Sequence, residues 1–356
     1  MVEGPQIRIS VTVPAGLSTI LSAAFRATGA SLADHARVID QLGSDNATVR
    51  LGGVRSLERL ARDHPADRQR VADQLCDYLR LSFGGHPRPD HEREVRLVAQ
   101  RVLAGLLRNP DQDLTIDLTG AVLVDVDLSK CYAGGANFAG ARFVGPASFD
   151  QAVLAGATFD RARFESRASF GHTRFTEPVQ FIETMFDDEA WFLGAEFVSH
   201  VWFDRARFEG LARFGCAKFQ GKAVFIETDF AGPAQFASAE FDYCSFDEAR
   251  FRTVAHFGLA QFTGDVRFTR TRFDDVAWFD AAAFHTDSTV FEGAAFTSFA
   301  RMRDVRANAH QRVGQYEPSW PPGWLVEVGS AQDGWARVVP VPVLLPEPEP
   351  RPGEEH

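Results

Sequence analysis

The sequence has little lysine, tyrosine, methionine or cysteine. Its basic residues are almost all arginine, with lysine only at Lys130, Lys218 and Lys222. With the abundant alanine and glycine, that bias points to a GC-rich bacterial genome. Tyr (4) and Met (3) are scarce against 32 Phe, so one structural slot is being filled repeatedly with the same ring. Cys76, Cys131, Cys216 and Cys244 form no CxxC pair and have no secretory context. This predicts reduced thiols in a cytoplasmic protein. The opening MVEGPQIRISVTV lacks a charged stretch followed by an apolar run, so it does not read as a signal peptide. The apolar stretch Leu17–Phe25 contains Ser and Thr and falls short of the roughly 20 residues that cross a bilayer. No membrane segment is expected.

The chain has a formal net charge of −11. Residues 113–300 hold 27 acidic and 16 basic side chains, whereas residues 1–112 hold 13 and 15. The middle segment therefore carries the excess. An acidic surface argues against direct nucleic-acid binding, because phosphates need Lys and Arg to release counterions. It suits a basic protein partner.

Within that segment a large apolar residue returns every five or six positions. The series begins Leu118, Leu123, Leu128, Ala133, Phe138, Phe143, Phe149. It settles into Phe170, Phe175, Phe181, Phe186, Phe192, Phe197 and so on to Phe241, then takes one five-residue step to Phe246 that shifts its phase, and ends at Phe296. Two residues before each stands something small or β-branched, as in Ala157, Ala162, Ala168 and Thr173. Neither the helical period of 3.6 nor the strand period of 2 fits. A chain that turns one corner per unit does. Four corners close a square coil, with the ring inside and the small residue leaving it room. Stacked coils then pair backbones at about 4.8 Å, as strands do.

Tandem A-x-F-x-x units of this kind resemble the pentapeptide-repeat family, over residues 113–300. The resemblance implies a right-handed quadrilateral β-helix, and so an α+β chain once the flanks are added. This sequence alternates units of 5 and 6, giving a coil of about 22 residues. The extra residue is expected to form a small bulge on two opposite faces.

The 22-residue period brings outward charges into columns. Arg174, Glu196, Lys218 and Glu240 alternate in sign, as do Arg207, Asp229 and Arg250. Such columns read as solvated stabilising ladders. Glu165, Asp187 and Glu209 instead stack like charges, with Asp188 beside them and Asp274 further along. That acidic stripe is a candidate partner-binding feature, unless Arg163 and Arg207 neutralise it. Trp191, Trp202 and Trp278 also point outward, Trp191 and Trp278 on one face, and exposed Trp favours interfaces. Cys131 and Cys244 occupy the small inward slot and read as core. His172, His200, His256 and His285 fall on different faces. No Ser–His–Asp spacing, carboxylate pair in a cleft or Gly-rich phosphate loop is present, so no catalytic residue, cofactor or metal is expected.

Residues 1–112 predict one strand over 6–13 and then four amphipathic helices. Ser31 opens one that runs to Leu42. Asp45 starts the second, with Val49, Val54, Leu57 and Leu60. Pro65 stands in the first turn of the third, with Val71, Leu75, Tyr78 and Leu79. After a Gly84–Pro89 loop the fourth carries Val95, Val98, Val102 and Leu106. The pairs resemble HEAT-type hairpins, and the stretch from Gln41 to Arg80 resembles a segment found ahead of pentapeptide repeats in many bacterial proteins. In those relatives membrane helices often precede it; none is read here. Capping the solenoid and binding a partner are both open to this region. Residues 301–342 predict a helix, Phe299–Gln311, and a hairpin of Trp324–Val328 with Trp335–Val339 about Asp333–Gly334. The Pro- and Glu-rich residues 343–356 predict a disordered tail.

Three functions follow as expectations. One is a non-enzymatic scaffold that binds a protein. The second comes from the resemblance: some family members imitate B-form DNA and bind DNA gyrase or a related topoisomerase. The third is an accessory or immunity component of a larger bacterial system.

Overall fold

The computed structural model describes residues 29–81, 89–111, 113–286, 288–308, 319–332 and 335–341. The strand expected over 6–13, the Asp333–Gly334 turn and the 343–356 tail lie outside these. So does the Gly84–Pro89 loop, except that Pro89 opens a helix. The chain divides into two units, residues 1–57 and 58–356.

The first unit holds helix α1, Gly29–Leu42, and the start of helix α2, Ala47–Asp63. Asn46 rather than Asp45 starts α2: its side chain accepts the Thr48 N–H at 2.9 Å, the usual N-cap bond. Val54 and Leu57 are buried, while Val49 is exposed.

In the second unit a short 3-10 turn, Pro65–Asp67, leads into helix α3, Arg68–Arg80, and helix α4 spans Pro89–Leu107. From Thr115 the chain coils about nine times and presents four faces. Face I stacks strands in parallel from Thr115–Asp117 to Thr289–Val290. Face II runs from Val122–Val124 to Ala295–Phe296, and face III from Ala147–Ser148 to Ala300–Arg301. Face IV runs from Tyr132–Ala133 to Arg306–Asn308. Stacked partners are 20 residues apart at Ile116–Ala136, 22 at Val179–Val201 and 23 at Val266–Thr289.

Two kinds of corner explain the 5/6 alternation. Each five-residue step closes a tight turn such as Phe159–Asp160–Arg161–Ala162, where the Ala162 N–H donates to the Phe159 carbonyl at 2.9 Å. The third residue is left-handed, with φ 55° at Arg161, 53° at His172 and 56° at Glu183. Each six-residue step instead turns through a longer bend, such as Glu165–Arg167. The expected bulges are therefore corrected: the extra residue lengthens two of the four corners and leaves the strand pairs intact. A residue added inside so short a strand would send the inward ring to the outside. One ladder irregularity marks the phase shift, between Phe219 and Lys222 against the shorter coil at Phe241–Tyr243. Gly264 sits over it, where a Cβ would meet the Asp242 carbonyl oxygen at 1.7 Å, so glycine is required there.

The interior is four columns of stacked rings. Phe159, Phe181, Phe203 and Phe225 repeat at 4.8, 4.8 and 4.9 Å, with planes parallel to within 4°. Columns on opposite faces meet edge to face, as Phe159 and Phe170 do at 5.5 Å and 88°. Offset stacking and edge contacts each add about 0.5–1.5 kcal/mol beyond area burial. Four threonines in the small slot are satisfied: Thr173, Thr184, Thr228 and Thr271 donate to the carbonyls of Phe149, Phe159, Phe203 and Phe246 in the coil before, at 2.6–2.8 Å, whereas the buried Thr289 hydroxyl has no partner.

Helices α3 and α4 cover the open edge of the first coil. A bare strand edge leaves its N–H and C=O groups unpaired, and here side chains supply the partners. Gln69 accepts from Thr115 N at 2.9 Å and donates to Thr115 O at 2.8 Å. Gln100 does the same to Val124, at 2.9 and 2.7 Å. Each amide thus stands in for one residue of a missing strand. Arg96 is buried and donates to the Leu79, Leu81 and Val122 carbonyls and to Glu92. Burial pulls its pKa down, opposed by Glu92. At the rim Arg80, Arg93 and Arg108 pair with Asp117, Asp125 and Asp127.

The far end departs from the expected helix. Ala300–Arg301 and Arg306–Asn308 are strands that continue the coil. The reason is the inward pattern: Met302, Val305 and Ala307 are buried, with Met302 taking the ring's place. The hairpin is present. Trp324–Gln332 pairs antiparallel with Trp335–Pro340, which also pairs with Arg306–Asn308 and so extends face IV. Ser319 bonds to Thr289 and Phe291, and Trp320 packs on the rings of Phe284 and Phe291.

Candidate functional site

The packed interior places function on outward side chains, and the coil fixes where each stands. The alternating columns are adjacent rungs as the period requires: Arg174 lies beside Glu196, Glu196 beside Lys218, and Lys218 beside Glu240. Arg207, Asp229 and Arg250 follow in the same way. Arg174 and Glu196 form an ion pair.

Glu165, Asp187 and Glu209 form a column at the corner between faces II and III. Each also has a guanidinium. Arg142 pairs with Glu165, Arg207 with Glu209, and Arg163 with Asp187 at 2.7 Å. Further along, Arg252 holds Asp229 at 2.7 Å and Arg250 holds Asp274 at 2.6 Å. The stripe is thus a row of surface ion pairs, each contributing about 0.2–1 kcal/mol. Asp188 is exposed beside Asp187. Arg163 and Arg207 were legible as neighbours from the sequence. Arg142 was not, although it makes the same reach as Arg163, across one rung and two positions.

Two of the three tryptophans share a face. Trp191 and Trp278 are on face III and Trp202 on face I. All three are half-buried. Trp191 lies between two guanidinium groups, Arg167 at 4.8 Å and Arg213 at 5.0 Å from its ring centre. Trp278 is flanked by Arg301 at 5.4 Å and by the His256 ring at 5.3 Å. Burial pushes the His256 pKa down. Trp202 meets the His200 ring edge-on, at 5.9 Å.

The tight corners carry acids that sequence reasoning did not single out. Asp160 accepts the Ile182 N–H at 3.0 Å and Asp204 accepts the Ile226 N–H at 3.2 Å, each in the coil above. Burial raises both carboxyl pKa values, and these hydrogen bonds oppose it. The signal was an Asp at the same corner position two coils apart. Cys131 and Cys244 are buried; burial pushes the Cys131 thiol up to about 12 and the Cys244 thiol well above its usual value. Cys216 is exposed, at a left-handed corner.

Two grooves are open to solvent. One, of about 720 Å³, lies between the last coil and the hairpin, lined by Phe299, Met302, Val305, Trp324 and Val338 among others. The other, of about 510 Å³, runs along face I beside α3, from Asp73 across Gly135 and Gly156 to Gln180. Among the described residues no cluster of His, Cys, Asp and Glu is arranged to hold a metal ion, and no helix is long and apolar enough to cross a membrane.

Comparison with known families agrees with this geometry. A model of pentapeptide repeats (9 copies) matches residues 133–174, 170–215 and 217–258, and a model of pentapeptide repeats (8 copies) matches residues 116–145. No curated protein matches the chain. A parallel four-faced coil with a ring in each unit, matched across these segments, makes the chain a member of the pentapeptide-repeat family.

Proposed function

We propose that this protein is a non-enzymatic scaffold that binds a protein partner through the outer faces of its coil. The observation that carries this is the division of labour in each unit. Two positions fill the interior, and the rest stand outward on rungs locked by stacked rings. Such a surface is pre-organised, so little side-chain ordering opposes association. Face III is the favoured surface, because it carries Trp191 and Trp278, and interface hot spots are rich in Trp and Arg. The tethered full-length chain should retain a partner from a bacterial lysate, and Trp191→Ala with Trp278→Ala should lose it. Undiminished retention by the double variant would remove face III from the proposal.

The DNA-mimic reading has less support. A phosphate row is a row of unneutralised charge, whereas Glu165, Asp187 and Glu209 each hold an arginine. Its test is a gyrase supercoiling assay with and without a fluoroquinolone. Inhibition or drug protection that disappears on charge reversal at those three positions would restore it.

A further inference from the structure

The arginines around Trp191 differ from most of those elsewhere on the coil. On face II, Arg142, Arg163 and Arg207 all have carboxylate partners. Arg301, beside Trp278, is held by Asp280 at 2.6 Å. No described carboxylate comes within the 4.0 Å of an ion pair for Arg167 or Arg213. Glu189, on the same rung as Trp191, pairs with neither. Two donors here also lack any acceptor: the indole Nε1 of Trp191 and the Nε of Arg213 are shut off from solvent and unbonded. A buried donor without a partner is destabilising, and in a chain whose net charge is −11 carboxylates were available to place there.

The geometry selects the kind of acceptor. Both guanidinium groups lie about 5 Å from the indole ring centre, and Arg167 is exposed while Arg213 is half-buried. A planar fork of N–H donors matches a carboxylate, which can accept two parallel bonds. Cations already occupy the ring, which disfavours a further cationic ligand. A polyanion is disfavoured because the surrounding coil is acidic and repels it over a Debye length. Apolar surface lies alongside: Leu193 is 46% exposed and Leu211 is half-buried.

We propose that Arg167, Trp191 and Arg213 form a docking site for an acidic peptide segment, seating a Glu or Asp side chain between the two arginines and an adjacent apolar residue on Leu193. This rests on the scaffold reading and names the partner chemistry at its favoured face. The test uses the full-length, isotope-labelled chain and follows the Trp191 indole N–H by NMR, assigned with Trp191→Phe. The probes are acetyl-Leu-Glu-Leu-amide, its Gln counterpart and inorganic phosphate, each titrated to about 10 mM, which reaches dissociation constants on the order of millimolar. The Glu peptide should move the resonance saturably and the Gln peptide should not. Arg167→Gln or Arg213→Gln should weaken the response about tenfold while the other indole signals stay in place. An equal response to the Gln peptide, an equal response to phosphate, or no response to any probe overturns the proposal. Lysate capture separates it from the scaffold reading. A partner retained equally by wild type and by Arg167→Gln/Arg213→Gln keeps the scaffold and removes this site. Failure of wild type to retain any partner counts against the scaffold itself.

Discussion

The two ends of the coil are closed by different chemistry. At the N-terminal end helices α3 and α4 meet a strand edge with side chains: Gln69 and Gln100 each make the pair of bonds that a neighbouring strand would make. At the C-terminal end a hairpin adds true backbone pairing to face IV, and Ser319 adds a single bridge on face I. On faces II and III the last described strands are Ala295–Phe296 and Ala300–Arg301, with Phe299 58% exposed. Side-chain caps work only if each amide or guanidinium is held in one place, which is why Arg96 and Gln100 are buried in the helix–coil interface. A backbone cap needs no such precision. It closes only the faces it reaches.

Removing residues 1–110 should give the largest effect. It strips the cap from the first coil and bares Leu114, Ile116, Leu118 and Leu123, all now buried. The product should aggregate, read as void-volume elution in size-exclusion chromatography, whereas removal of 319–356 should leave a monomeric coil with a lowered melting temperature. Equal behaviour of the two truncations would erase the distinction between the ends. Next in size are ring deletions. Phe203→Ala, in the middle, should cost about 3–5 kcal/mol by denaturant unfolding. Phe296→Ala, on a ring already half-exposed at the open end, should cost about 1 kcal/mol. Gln100→Ala should cost about 2 kcal/mol, because it leaves the Val124 N–H and C=O buried and unpaired. Gln69→Ala, at a wetter position, should cost less than half as much. If the two glutamines prove equal, burial is not what gives the cap its strength.

The smallest effect is at a corner. Asp204 has its carboxyl pKa raised by burial, so the folded state holds that proton more tightly than the unfolded chain does. The charged form therefore lowers stability above the folded pKa, and the penalty vanishes below the ordinary value of 3.8. Asp204→Asn keeps an acceptor for Ile226 and removes the charge. It should stabilise at pH 7 by less than about 0.5 kcal/mol after solvent screening and give no gain near pH 3. A thermal melt at both pH values checks the sign.

What was legible in the sequence was whatever repeats. The inward Phe and Ala positions gave the coil, its 22-residue period and the charge columns, because each unit restates the same constraint. The four helices were legible from their apolar stripes. The capping residues were not, since an Arg and a Gln on α4 read as solvent-facing. The clue was that Arg96 and Gln100 lie four apart, among Val95, Ala99 and Leu103 rather than opposite them. The helix expected from Phe299 failed because Met302 hid the last ring slot. The bulges failed because ring spacing counts residues per unit without saying whether the spare one lies in a strand or at a bend. Nothing in the spacing revealed that Arg167 and Arg213 clasp Trp191, since the contact joins three successive rungs.

The alternation of tight and long corners has a consequence for how such a chain can change length. Eleven residues carry it halfway round, from face I to face III. An insertion of that size would send every later side chain to the opposite side and present the hairpin to the wrong strand. Twenty-two residues add a whole storey and return both ends to their places. The molecule can therefore be lengthened or shortened without redesign only in whole circuits, with its caps serving as fixed endpieces between which circuits are interchangeable.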